Sequence, residues 1–221
     1  MADDALTFRV MTAADVDSVP LDHQGSADEV LARIDELGSA AALVFDGPQH
    51  VGQLQFRRYD PELRSSNGLH DPLYWGDFSA IATPDLPDPT LNLFCYHVGQ
   101  LAAGDERDTR YQGRGIGSGL LGAVIKWADA AQIEAIVAKA VPAVRAVAVF
   151  MGGQPAPVYA ERGFKIVARW QDADLLAHLE ETLSDNSALA VEMRRLVEAG
   201  AGLSEASEVA LCVRRRPSES S

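Results

Sequence analysis

Gln112-Gly113-Arg114-Gly115-Ile116-Gly117-Ser118-Gly119 decides the reading of the fold. It follows an apolar strand, residues 91–98, and opens a helix whose apolar face is Ile116, Leu120, Leu121, Val124, Ile125 and Ala128. Glycines at such a junction present successive backbone N–H groups at a helix N-terminus, which is an anion site by geometry. A phosphate-binding P-loop does not fit, because no Lys-Ser or Lys-Thr follows the glycines. A dinucleotide GxGxxG can be spelled from Gly117, Gly119 and Gly122, but these fall inside the helix, and no acidic residue ends a strand about 20 residues later. A third pattern, Gln/Arg-x-x-Gly-x-Gly/Ala, is met by Gln112, Gly115 and Gly117, preceded by Arg110-Tyr111. A turn that serves only to connect is the alternative.

Outward from this loop, residues 7–11 alternate as a strand, and Thr12 with Asp15 gives a capping-box start to a helix. The spacing of Val30, Leu31, Ile34 and Leu37, closed by Gly38, predicts a helix over 27–37. Residues 39–45 and 51–58 read as a hairpin around Asp46-Gly47-Pro48. From 59 to 90 the periodicity stops and prolines accumulate, a long loop of the kind that is often functional. Beyond the glycine segment come a buried strand (133–140), a mixed stretch (142–162), a strand (164–170), amphipathic helices at 175–183 and 188–197, and a last strand (209–214).

With Tyr159-Ala160-Glu161-Arg162-Gly163-Phe164 further along, the two motifs and the order of elements resemble the GNAT superfamily of acyl-CoA-dependent N-acyltransferases. The likeness covers roughly residues 7–170 plus 209–214. It implies an α/β (α+β) GNAT-like fold: a central mixed, mostly antiparallel twisted sheet of about six to seven strands flanked by helices. Residues 1–221 would form a single acyltransferase domain with insertions at about 59–90 and 171–208 and a flexible tail at 215–221. It further implies acetyl-CoA as co-substrate and no metal. The pyrophosphate would lie on Gln112, Gly113, Arg114, Gly115, Ile116, Gly117 and Ser118, and the pantetheine amides against Val98 and Gly99, near His97, at the end of the central strand. Tyr159 would protonate the departing thiolate, a role that suits a phenol with a pKa of about 10.

Two departures from the family pattern stand in this chain. A polar excursion, residues 100–108, separates the strand from the glycine loop. Gly152, Pro155 and Pro157 precede Tyr159, so the helix there must be short or bent. The general base is open: His97 has a suitable intrinsic pKa and lies near the expected thioester, with a core histidine as the other reading, and Asp71, Asp77 and Asp85 are alternatives. Strict alternation along the central strand would set Asn92, Phe94, Tyr96 and Val98 on one face and Leu93, Cys95, His97 and Gly99 on the other. Cys95 as an acyl-accepting nucleophile would need an activating base.

Composition bounds the rest. A chain of 221 residues with 47% hydrophobic residues can bury one sizeable core. Its longest apolar run falls far short of the roughly 20 residues of a membrane helix, and the opening segment lacks secretory character, so a cytoplasmic protein away from membranes is expected. A net charge of −13 disfavours nucleic acid. The two cysteines, Cys95 and Cys212, have neither metal-ligand nor CxxC spacing and read as buried thiols. The expected activity is transfer of an acetyl group to a primary amine of a small molecule or peptide by direct attack in a ternary complex. An acyl-CoA-binding sensor or interaction module without turnover, and transfer to a hydroxyl or to a protein N-terminus or lysine, are the alternatives. The insertions would shape the acceptor pocket or a contact within a homodimer.

Overall fold

Ser26 and Glu29 bracket the first turn of α1 (Ala27–Leu37): the Ser26 hydroxyl accepts from Glu29 N at 3.3 Å, and the Glu29 carboxylate accepts from Ser26 N at 2.7 Å. Such a reciprocal cap contributes about 1 kcal/mol. Gly38, left-handed at φ +87°, closes the helix where the sequence predicts. The computed structural model describes residues 6–21, 24–60, 85–103, 107–200 and 202–217. Most of the long loop read at 59–90, with Asp71 and Asp77, lies outside the described residues, as do the last four positions of the tail.

The seven strands β1 (Thr7–Val10), β2 (Ala41–Asp46), β3 (Gln49–Arg58), β4 (Thr90–Val98), β5 (Ala135–Ala140), β6 (Lys165–Gln171) and β7 (Glu208–Arg215) follow the order β1-β2-β3-β4-β5-β7-β6. The fold is that mixed sheet with helices around it, as the sequence reading has it. The chain forms two compact units, the first drawn from Met1–Tyr59, Pro87–Ile136 and Arg216–Ser221, the second from Asp60–Leu86 and Val137–Arg215. Among the described residues no helix is long and apolar enough to cross a membrane.

In the first unit β1 to β4 pair antiparallel in sequence order. One face carries Leu43 and Ala41, packed with Met11, Val16, Val19 and Val30 of the α1 side. The other carries Phe8 and Phe56 beneath α2 (Ile116–Ala130), where Phe56 stacks on Trp127 at 5.0 Å between ring centroids. The helix expected after Thr12 is a single 3-10 turn, Ala13–Asp15. The reason is local. The Asp15 carboxylate accepts from Thr12 N and Oγ1 at 2.8 Å each and from the Arg9 guanidinium at 2.5 and 2.7 Å, while Ser18 N and Val19 N both turn back to Asp15 O. Pro20 then lacks the N–H a continuing helix needs.

In the second unit the stretch before Tyr159 is broken, as the prolines require. α3 (Arg145–Met151) stops at left-handed Gly152, and α4 (Ala156–Ala160) restarts from Pro155. The segment read as a helical insertion supplies α5 (Ala173–Thr182), α6 (Ala188–Glu198) and a further short α7 (Leu203–Ala206). These helices build this unit's core: Leu175, Leu179, Leu189, Met193 and Ala206 bury against Val147 and Met151 of α3 and Val209 of β7. Asp172 caps α5, accepting from Leu175 N at 3.0 Å, and pairs with Lys139 at 2.6 Å.

Candidate functional site

The polar excursion after β4 closes on itself. Gly99 N donates to Val51 O and Asp108 N donates to Gly99 O, both at 2.8 Å, so the chain leaves and re-enters at one point. Gly99 is left-handed (φ +83°), and a Cβ there would collide with the Asp108 carbonyl. The neck therefore needs glycine. Asp108 next caps the 3-10 turn Thr109–Tyr111, accepting from Arg110 N at 3.0 Å, and holds the Arg110 guanidinium in a fork. Those hydrogen bonds to Arg110 lower the Asp108 pKa. The Tyr111 hydroxyl donates to Asp46 at 3.1 Å, while burial, first, and then that carboxylate raise its pKa.

From this anchored turn the glycine loop projects. Gly113 and Gly115 are both left-handed at φ +74°, both exposed, and a Cβ on either would meet nothing within 4 Å. Gly115 is the N-cap of α2, so the N–H groups of Gly115, Ile116, Gly117 and Ser118 precede the first intrahelical bond, Gly119 N to Gly115 O at 3.0 Å. The helix dipole adds partial positive charge there. Arg114 lies over the Tyr111 ring at 5.6 Å and brings a cation to the loop. Gly119 has another reason to be glycine: a Cβ would sit 2.5 Å from the Phe8 ring, so it serves helix-to-strand packing.

On β4 the structure corrects the expected alternation. Gln55 pairs with Cys95 but Phe56 pairs with Leu93, so Phe94 is an extra residue, a bulge. Beyond it the faces exchange. Leu93 joins the α2 face with Phe56, and Asn92, opposite Arg57, joins Cys95 and His97. Phe94 lies on this side as well, its ring under the guanidinium groups of Arg57 and Arg33 at 5.3 and 6.0 Å. On β3 the same face carries Gln53 and Gln55, opposite His97 and Cys95 and both fully buried. The sequence reading passed over both glutamines. Their signal was two polar residues, i and i+2, inside the otherwise apolar stretch 51–56.

His97 is 1% exposed, and its Nε2 lies 3.0 Å from Cys95 Sγ. Cys95 and Cys212 are both buried thiols outside any disulfide, and burial pushes the Cys212 thiol up to about 11. In the second unit Tyr159 is 2% exposed on α4, its ring tilted against Phe164 at 5.2 Å. The structure thus gathers Cys95, His97, Val98 and Gly99 with the Gln112–Ser118 loop in one unit and puts Tyr159 in the other. The Asp85 carbonyl accepts from Arg215 at 3.4 Å.

No protein-family model matches the chain, and no curated protein sequence matches it significantly. In fold it is similar to solved acetyltransferases. These include a GNAT-family acetyltransferase from Streptococcus pneumoniae (15% identity, 96% of this chain and 99% of that one, TM-score 0.49). A putative acetyltransferase, yncA, from Salmonella typhimurium, solved with its cofactor acetyl-CoA, gives 12% identity, 98% and 97% coverage and a TM-score of 0.48. The ribosomal-protein-S18-alanine N-acetyltransferase from Escherichia coli gives 10%, 98% and 97%, and 0.48.

Proposed function

We propose that the chain is an acyl-CoA-dependent N-acyltransferase of the GNAT type, a single catalytic domain that moves an acetyl group from acetyl-CoA to a primary amine. One observation carries the reading: two exposed left-handed glycines, where an added Cβ would meet nothing within 4 Å, at the N-terminus of the 15-residue helix that follows the central strand. That arrangement suits a pyrophosphate on the amides of Gly113 to Ser118, with Gln112 and Arg114 beside it. Because the excursion after Gly99 is pinched off at its neck, the end of β4 leads straight to the loop, which suits a pantetheine arm running along Val98. Gly99 contributes less, since its amide is already given to Val51 and its carbonyl accepts from Asp108.

In the reaction the substrate ammonium gives one proton to the base, for which His97 is the candidate, and the neutral nitrogen attacks the thioester carbonyl. The C–N bond forms and the C–S bond breaks. The thiolate takes a proton from Tyr159, and the acylated nitrogen releases its second proton, restoring the phenol. Much of the acceleration would come from holding amine and thioester together. The alternative of CoA binding without turnover draws on the burial of Tyr159 against Phe164, which packing alone can explain. A thiol-release assay with acetyl-CoA against amines, polyamines, aminoglycosides and peptides separates the two. Release with any of these amines supports transfer, while saturable CoA binding with no turnover on any of them supports the sensor.

A further inference from the structure

The buried face of β3 and β4 carries amides whose orientation is fixed by main-chain carbonyls. Gln53 Nε2 donates to Pro20 O at 2.7 Å, so Gln53 Oε1 must be the acceptor for Gln24 Nε2 at 3.1 Å. Gln55 Nε2 donates to Leu21 O at 3.3 Å. Neither chain of bonds survives an amide flip, because a carbonyl oxygen cannot donate. Consequently Gln24 Oε1 and Gln55 Oε1 have no hydrogen-bond partner among the described residues, and Asn92 Oδ1, brought to this face by the bulge, is in the same condition. The three residues are 1%, 0% and 2% exposed. Beside them Arg33 donates one amino group, Nη2, to Gln24 O at 3.1 Å, while its other, Nη1, is buried and unpartnered.

Buried polar atoms are nearly always paired, so four such atoms on residues of one face and the helix beside it require an explanation. Three acceptors and one cationic donor match a small group carrying several N–H bonds at one end and an anion at the other. Neutral amide oxygens suit an amine that must lose a proton, since a carboxylate in their place would hold the ammonium charged. The His97 and Cys95 pair adjoins the same side chains across the strand.

We propose that this face is the acceptor subsite and that it takes a free α-amino acid, its amino group on Gln24, Gln55 and Asn92 and its carboxylate on Arg33. The assignment of acceptor role rests on the acyl-CoA reading; the binding of the amino acid does not. The full chain is therefore titrated with individual L-α-amino acids, with the amines that lack the carboxylate, and with the acids that lack the amine. Each is tested with and without CoA, by thermal shift and by thiol release from acetyl-CoA. At least one amino acid should raise Tm in both conditions, with its decarboxylated amine binding about ten-fold more weakly or worse. Arg33→Met should abolish that preference while CoA affinity changes less than about two-fold, and Gln55→Met should raise KM for amino acid and amine alike by about ten-fold. If Gln55→Met does not fold, the partly exposed Arg33 still decides the matter. No amino acid raising Tm, amines equal to amino acids, or an unaltered preference in Arg33→Met would each overturn the proposal. Amino-acid binding without CoA binding would instead overturn the acyl-CoA reading and leave the subsite standing.

Discussion

The two motif-bearing regions of this chain are built in opposite ways. The glycine loop of the first unit exposes backbone: Gly113 and Gly115 take a conformation that side chains resist, yet nothing nearby would be struck by a side chain. The segment around Tyr159 in the second unit buries a side chain: Tyr159 is 2% exposed on a short helix that restarts from Pro155, and its ring tilts against Phe164. Left-handed glycine is expected where a turn or close backbone approach demands it. With nothing among the described residues for a Cβ to meet at these positions, the loop points to a ligand more strongly than a packed tyrosine does.

The comparison can be broken at several points. The largest effect should come from Gly117→Glu, which puts bulk and negative charge where pyrophosphate would lie. CoA affinity should fall by about a hundred-fold or more, while Tm hardly moves, because an acid in the first turn favours the helix dipole. Calorimetry and a melting curve check both halves, and unchanged CoA affinity would remove the phosphate loop from the account. Next, Tyr159→Phe keeps the packing and removes the proton donor: kcat should fall about a hundred-fold with CoA affinity retained. A normal kcat would make Tyr159 a packing residue only. Gly119→Ala tests the other kind of glycine. Its methyl meets the Phe8 ring, so stability should drop by about 1–3 kcal/mol in a denaturant titration, with CoA affinity unchanged in the folded protein. Lost CoA affinity there would return Gly119 to the ligand loop.

The smallest effect is one of pH. Hydrogen bonds from Arg9, first, hold Asp15 at about 2, below its usual value. A depressed folded pKa contributes stability that is full above the unfolded value of about 3.9 and is lost as pH falls through the folded one. Between about pH 4 and 2, then, the wild type should lose stability that Asp15→Asn lacks throughout. Parallel stability curves for the two proteins over that window would contradict the role given to the pair.

What the sequence disclosed follows from which features are local. The bounds of α1 were legible because Ser26, Glu29 and Gly38 act within a turn of the helix they close. The β2–β3 hairpin was legible from Asp46-Gly47-Pro48, and the glycine loop from its own residues. Three things were not. The bulge at Phe94 depends on the register between β3 and β4, which strict alternation along one strand cannot reveal. Closure of the excursion depends on Gly99 meeting Asp108, and the amide row depends on Pro20 and Leu21 reaching Gln53 and Gln55, over thirty residues away. The register of the bulge and the amide row both join distant parts of the chain, and these two define the face on which the amino-acid proposal rests.

The most direct measurement is calorimetric titration of the full chain with acetyl-CoA and with CoA, paired with melting curves. The account predicts saturable binding at one site per chain, with about 2.7 kcal/mol of added stability when ligand stands at a hundred times Kd, seen as a rise of several degrees in Tm. Neither ligand giving heat of binding nor moving Tm would contradict it.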